Sequence, residues 1–346
     1  PRERPGRLAC MAPPASDWLP AAFNQGYVYR DRIDQGGERV SAFLAARYPH
    51  VSQSGWIERL VAGELWCNGR QLQADAALVP GDRLAWHRPP WQEAAVPVLQ
   101  RHAVVFDDGD LLVLNKPSGL PVLPAGGFLE HTLLRQLEGW HAQGVLDPAA
   151  GLPRPVHRLG RFTSGLLVCA RRPASRAWLS ALLREGTAAA AVAAPTCRKL
   201  YRALTQPLPT DWAPGETRLQ QQPIGRRPHP LLGAIWCAAA ADDPAPLAAS
   251  STITLLERRH DSCLVEVWIA TGRPHQIRIH TAALGAPLLG DPLYGPGGLA
   301  RPEALPGDGG YLLHAHRLAL PLADGRRLEL EAPPPAGLCL SPSCLA

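Results

Sequence analysis

Apolar positions between residues 31 and 90 recur first at helical spacing, then in short alternating runs. Val40, Phe43, Leu44 and Tyr48 stand at i, i+3, i+4 and i+8 and predict an amphipathic helix. Trp56, Ile57, Leu60 and Val61 predict a second helix, with Ser54 as its N-cap and Gly63 as its stop. Leu65–Cys67 then runs into Asn68-Gly69, a hairpin signal. Pro80-Gly81-Asp82 marks another turn before a strand over Arg83–His87. Two helices followed by short strands define a small ααβ module over 31–90, preceded by an N-terminal extension, 1–30. The Pro-rich stretch from Arg88 to Pro97 reads as a linker, placed at 91–100.

From Arg101 the pattern changes. Ala103–Phe106 and Leu111–Asn115 are β-like runs around the turn residues Asp107–Asp110. Leu166–Ala170 is an apolar run, and Ala177–Leu183 has helical character. Thr252–Leu256 and Leu264–Ile269 predict strands either side of a charged turn. Leu318–Leu322 and Leu328–Glu331 frame the turn Ala323-Asp324-Gly325. Strands dominate without regular strand–helix alternation, so the expected class is α+β with a largely antiparallel central sheet. This second domain is placed at 101–335, with a tail at 336–346. The Ala/Pro/Asp-rich stretch Ala238–Ser250 reads as an exposed loop.

The 346 residues suffice for two domains, and mean hydropathy is −0.09. No apolar run reaches the ~20 residues of a membrane helix, the blandest being Ala188–Ala194, so no membrane association is expected. Net charge is +5, and Lys116 and Lys199 are the only lysines, so the positive charge is nearly all arginine. Arginine presents a planar fork suited to phosphates and base edges. A GC-rich genome raises Arg, Ala, Pro and Gly together, so position rather than count must identify the functional residues. None of the eight cysteines forms a C-x-x-C pair, and free thiols in a reducing compartment are expected. The only methionine is Met11, so residues 1–10 are expected to precede the true start. The N-terminus, with Glu3 and Asp17, lacks the pattern of a signal or transit peptide, and the expected location is cytoplasmic.

The chemistry concentrates in a few segments. They are His157-Arg158-Leu159-Gly160-Arg161-Phe162-Thr163-Ser164-Gly165 and Gly272-Arg273-Pro274-His275-Gln276-Ile277-Arg278-Ile279-His280. Shorter ones are Asn115-Lys116-Pro117-Ser118-Gly119, Lys199-Leu200-Tyr201-Arg202-Ala203-Leu204 and Gly290-Asp291-Pro292-Leu293-Tyr294-Gly295. His157, His275 and His280 have no carboxylate or cysteine at ligand spacing, so no metal is expected. Thr163-Ser164-Gly165 lacks the G-x-S-x-G context of a serine nucleophile, and no Gly-rich loop precedes Lys116.

Together these segments, in this order, resemble the RluA-type RNA pseudouridine synthases over roughly residues 101–335. Residues 31–90 are similar to the S4 RNA-binding domain that often precedes that catalytic domain. The resemblance implies isomerisation of uridine to pseudouridine in structured RNA, ribosomal or transfer, by base flipping. It implies no metal, no organic cofactor and no obligate protein partner, and a monomer suffices. The family motif H-R-L-D-x-x-T-S-G supplies an essential aspartate, its tyrosine stacks on the flipped uracil and helps remove the C5 proton, and an arginine pairs with the aspartate. The tyrosine maps to Tyr201 and the arginine to Arg278.

The aspartate maps to Gly160, which has no carboxylate and cannot act as nucleophile or acid/base. A branch of the family in photosynthetic lineages carries H-R-L-G-R, which makes the glycine a lineage trait. Without an aspartate at 160, Arg278 needs another partner, which RNA phosphate, an anion, water or a carboxylate from elsewhere could supply; Asp291 is the candidate carboxylate, although the resemblance implies a structural role for it. RNA contacts are expected from Arg158, Arg161, Arg171, Arg172, Arg198, Lys199, Arg202 and Arg273, with Arg226 and Arg227 nearby. Two functions therefore stand at this point: a pseudouridine synthase in which another group replaces the aspartate, and a non-catalytic RNA-binding homologue active in ribosome assembly or RNA folding.

Overall fold

The structure, a computed structural model, describes residues 17–185, 197–322 and 325–341. Ala188–Ala194, the turn residues Ala323 and Asp324, Met11 and most of the expected extension and tail lie outside the described residues.

The N-terminal module forms where the apolar spacing places it. Helix Val40–Arg47 buries Val40 and Leu44, and helix Gln53–Val61 buries Trp56 and Leu60. Each pair is four residues apart and so lies on one helix face. Ile57 and Val61, expected on the buried face, are 43% and 80% exposed. The N-cap is Ser52, not Ser54: its side chain accepts from Gly55 N. Asn68 and Gly69, both at positive φ, close the hairpin between Leu65–Cys67 and Arg70–Gln71. A strand over Tyr27–Arg32 pairs with Arg83–Arg88, so this sheet has four strands and begins before residue 31.

Residues 91–100 are not a free connector. Gln92–Glu93 pairs with Ala22–Phe23, and Val96–Pro97 pairs with Trp18–Leu19. Val96 and Leu99 are buried in the core of the larger body. The buried Glu93 carboxylate accepts from the backbone N–H groups of Leu129, Glu130 and His131 and from Asn24 Nδ2. Proline density signals a lack of helix, not a lack of packing.

The larger body is built on a ten-stranded sheet. Its main path runs Thr217–Gln220, Ser251–Arg258, Cys263–Ile269, Arg198–Thr205, Leu313–Pro321, Thr163–Ala170, Leu111–Lys116 and Val104–Asp107. Arg154–Pro155 adds beside Thr163–Ala170, and Arg327–Glu331 beside Leu313–Pro321. Every pairing is antiparallel except Thr163–Ala170 with Leu313–Pro321. The α+β class with a largely antiparallel sheet is therefore present as expected. Thr163–Ala170 is buried at all eight positions, as a central strand covered on both faces should be. Ser251–Arg258 instead alternates between buried and half-buried positions, the mark of a strand with one wetter face. Helices Leu133–Ala142, Pro173–Glu185 and Gln276–Ala283 accompany the sheet. Thr132 caps the first of these by accepting from Arg135 N.

Two further expectations change. Ala238–Ser250 is exposed only in its middle: Ala238 and Ala249 are buried, and Leu247 exchanges backbone hydrogen bonds with Ile224. The tail is docked as far as residue 341, with Leu338 buried and Ser341 N donating to Glu257.

The parallel junction depends on Gly165. It pairs with Ala315 and has φ +99. A Cβ there would lie 2.3–2.8 Å from the Ala315 backbone. Gly165→Ala adds left-handed strain to a backbone clash and is expected to cost about 2–3 kcal/mol. A fall in the urea unfolding midpoint at unchanged m-value is the expected readout; an unchanged midpoint would refute the close approach.

Candidate active site

Lys116, at the end of a central strand, assembles the first part of the site. Its fully buried Nζ donates to the carbonyls of Pro117, Leu120 and Arg161 at 2.8, 2.8 and 3.0 Å. Three carbonyls match the three N–H bonds of the ammonium form. Burial, and then the charge of Arg161, bring its pKa down to about 7. Ser118 Oγ donates to Phe162 O, and Gly119 N and Arg161 O complete the clamp. The Asn115–Gly119 loop thus fixes the backbone of the 157–162 loop. His157 supports it from the other side, its Nε2 accepting from Val168 N at 3.0 Å.

Gly160 is exposed, and its φ lies outside the left-handed region. The backbone alone would accept a side chain. The space would not: a Cβ on Gly160 would lie 2.1 Å from the Tyr311 hydroxyl oxygen and 3.4 Å from Thr163 Oγ1. Tyr311 is 2% exposed and fixed on several sides. Thr163 Oγ1 donates to its oxygen at 3.3 Å, and Phe162 meets its ring edge-to-face at 6.0 Å. The Arg278 guanidinium lies 4.3 Å from its ring centroid, a cation–π contact.

Arg278 projects from helix Gln276–Ala283 and is 3% exposed. Its Nε and Nη2 each donate to the Asp291 carboxylate at 2.7 Å, and Nη1 donates to Pro306 O at 3.2 Å. Asp291 also accepts from the backbone N–H groups of Leu293 and Tyr294. The counter-charge of Arg278 is therefore Asp291, the residue the sequence nominated. His275 Nδ1 and Tyr294 Oη lie 2.7 Å apart, and Tyr294 donates onward to Trp236 O. His280 bonds Ser251 Oγ and Gln222 O, and Gln276 ties the helix start to Thr271, Arg273, Ser250 and Ser251. Most of this motif holds the helix in place so that Arg278 is fixed.

Tyr201 faces the same side of the sheet. It pairs with Ala315, which pairs with Gly165 on its other edge, so the three form one row. Thr163 stands two residues from Gly165 and shares its face. Tyr201 is 9% exposed, and burial followed by nearby Cys197 pushes its phenol above the ordinary value. Its phenol therefore keeps its proton at neutral pH.

The expected RNA-contacting residues divide. Arg158 and Arg198 are exposed, Arg161 lies over Phe128 and Phe162, and Arg273 donates to Ala248 O. Arg172 is 74% exposed at its side chain and pairs with Asp110. Arg171, Lys199 and Arg202 depart from the expectation. Arg171 is buried in a bidentate pair with Asp107. Lys199 is buried with Nζ donating to Leu183 O. Arg202 pairs with Glu266 and, one residue on from Tyr201, faces the other side of the sheet. These three hold the scaffold. Arg226 and Arg227 fall on a hairpin, Ile224–His229 with Gly233–Ala238, that the sequence pattern did not reveal.

Two residues of the site escaped sequence reasoning. Tyr311 lies outside every motif, and Phe128 sits in a loop without pattern. The one available signal was the glycine itself, since an otherwise intact motif implies that something fills the space beside it.

Residues 110–283 match the RNA pseudouridylate synthase family. The chain is 40% identical over 301 residues to an RNA pseudouridine synthase of Synechocystis sp., covering 86% of this chain and 94% of that one. It is 36% identical to RNA pseudouridine synthase 5 of Arabidopsis thaliana, covering 93% and 97%. Ribosomal large subunit pseudouridine synthase D of Neisseria meningitidis is 31% identical, covering 88% and 77%. In fold it is similar to human RNA pseudouridylate synthase domain containing 4, with TM-score 0.50 and 23% identity over 68% of this chain and 90% of that one. Such a sheet, with this site on it, defines an RNA-modifying isomerase. The chain belongs to the RNA pseudouridine synthase family.

Proposed function

We propose that this chain isomerises uridine to pseudouridine in structured RNA, ribosomal or transfer, without an aspartate at the motif position. The observation that carries the reading is the intact site beneath Gly160: Arg278 locked to Asp291, Tyr311 against its guanidinium, and Tyr201 on the same sheet face. The ribosomal substrate of the Neisseria relative, stated in its name, supports ribosomal RNA as the first substrate to test.

Arg158, Arg161, Arg172, Arg198 and Arg273 supply the contacts to the phosphate backbone, and the S4-like module adds a second RNA-binding surface. There Arg59 and Arg88 both lie over Trp86, and Arg88 stands 3.6 Å from the Trp91 ring centroid. Such Arg–aromatic layers suit stacking on unpaired bases. The proposed location is cytoplasmic: the described cysteines are all unpaired, which suits a reducing compartment.

The test is direct. Purified protein is incubated with ribosomal and transfer RNA from a strain lacking the gene, and pseudouridine is resolved by nucleoside chromatography. Pseudouridine is expected to form, and Tyr201→Leu, which removes the orienting ring, is expected to lower the rate by about 100-fold. RNA binding with no pseudouridine formed would establish the RNA-binding homologue instead.

A further inference from the structure

We propose that the Tyr311 hydroxyl replaces the side chain that position 160 lacks and is the protein's own proton-transfer group at the reacting uridine. This rests on the isomerase reading above and gives it a missing part. The phenol oxygen occupies the place of a side chain at 160, since a Cβ there would lie 2.1 Å from it. With Tyr311 in this position a side chain at 160 has no room, so an aspartate there requires the ring to move. Gly160 is exposed, so a residue with no side chain lies at the surface next to the hydroxyl.

The hydroxyl is also pre-organised. Thr163 Oγ1, the Phe162 ring and the Arg278 guanidinium fix Tyr311 on different sides, and Asp291 fixes Arg278 in turn. Any buried phenol needs a polar partner at its tip; what sets this one apart is that the tip lies beside the exposed Gly160, which has no side chain. A group used for proton transfer needs its oxygen held in one place.

The chemistry balances without another reactant. Isomerisation breaks the N1–C1′ bond, forms the C5–C1′ bond and moves one proton from C5 to N1. Tyr311 gives its proton to N1 of the departing uracil. It recovers a proton from C5 once the new bond has formed, and Tyr201 orients the ring throughout. The hydroxyl ends as it began.

Tyr311→Phe removes one oxygen and preserves the packed ring. In single-turnover reactions on RNA from a deletion strain, the parent protein is expected to form pseudouridine. Tyr311→Phe is expected to be slower by at least about 100-fold, with RNA affinity within twofold and a melting temperature lowered by only a few degrees, since Thr163 Oγ1 loses its acceptor. The double variant Gly160→Asp/Tyr311→Ala, which makes room for a carboxylate, is expected to run at least tenfold faster than Tyr311→Ala. A Tyr311→Phe rate within threefold of the parent would overturn the proposal and leave the isomerase reading intact. An inactive parent would overturn both.

Discussion

Asp291→Ala is expected to lower the free energy of unfolding by about 3–5 kcal/mol and to abolish activity. Arg278 and Asp291 expose 4% and 0% of their side chains, and both guanidinium–carboxylate bonds are 2.7 Å long. Removing the carboxylate leaves a buried cation with, among the described residues, Pro306 O as its remaining hydrogen-bond partner, together with the ring faces of Tyr294 and Tyr311. It also strips the Leu293 and Tyr294 N–H groups of their acceptor. The penalty comes from the unpaired charge, so removing both charges should cost less than removing one. Arg278→Met/Asp291→Leu is accordingly expected to unfold at a higher urea concentration than Asp291→Ala, while remaining inactive. Equal midpoints for Asp291→Ala and the parent would show that the pair contributes nothing.

The second large effect is acid lability. Burial, and then the charge of Lys199, lower His157 from 6.5 to about 3. Burial, with Arg278 and Arg158, lowers His275 to about 3, and burial lowers His280 to about 4. The hydrogen bonds agree. His157 Nε2 accepts an N–H, and protonation would set two donors face to face. His280 Nε2 must donate to the Gln222 carbonyl, which leaves Nδ1 to accept from Ser251. Each ring is neutral in the folded protein and binds a proton near pH 6.5 once unfolded. The unfolded state therefore holds more protons as pH falls from 6.5 towards 4, and stability falls with it. At about 1.4 kcal/mol per pH unit, each ring costs about 3 kcal/mol at pH 4. The sum, roughly 9 kcal/mol, is of the order of the whole stability of a domain. Asp110, lowered to about 2, weakens the protein further only below its unfolded value of 3.8. Circular dichroism against pH is expected to show unfolding between pH 6 and 4, shifted to lower pH in His157→Gln. Constant ellipticity down to pH 4 would contradict it.

Legibility in the sequence followed the range of the interaction. The Asn68-Gly69 hairpin and the helix faces at Val40/Leu44 and Trp56/Leu60 are local and were readable. So were the motif residues of the site, because their order and composition are specific. Long-range pairing was not. Arg171 meets Asp107 from 64 residues away, Arg202 meets Glu266 across a strand pair, and Lys199 ends on the carbonyl of Leu183. An arginine whose partner lies elsewhere in the chain looks like one that faces RNA. Residues 91–100 looked like a linker because nothing in proline-rich sequence announces that Val96 and Leu99 enter a core. Tyr311, 148 residues from Thr163, is the extreme case: the sequence showed the gap at Gly160 but not the residue that fills it.

The central claim is that this site makes pseudouridine with glycine at position 160. Its most direct test is a map of pseudouridines in total RNA by carbodiimide adducts and reverse-transcription stops. A strain lacking the gene is compared with its parent and with strains complemented by the natural gene or by Tyr311→Phe. One site, in ribosomal or transfer RNA, is predicted to vanish on deletion, return with the natural gene and stay absent with Tyr311→Phe. An identical map in the deletion strain and its parent would contradict the claim.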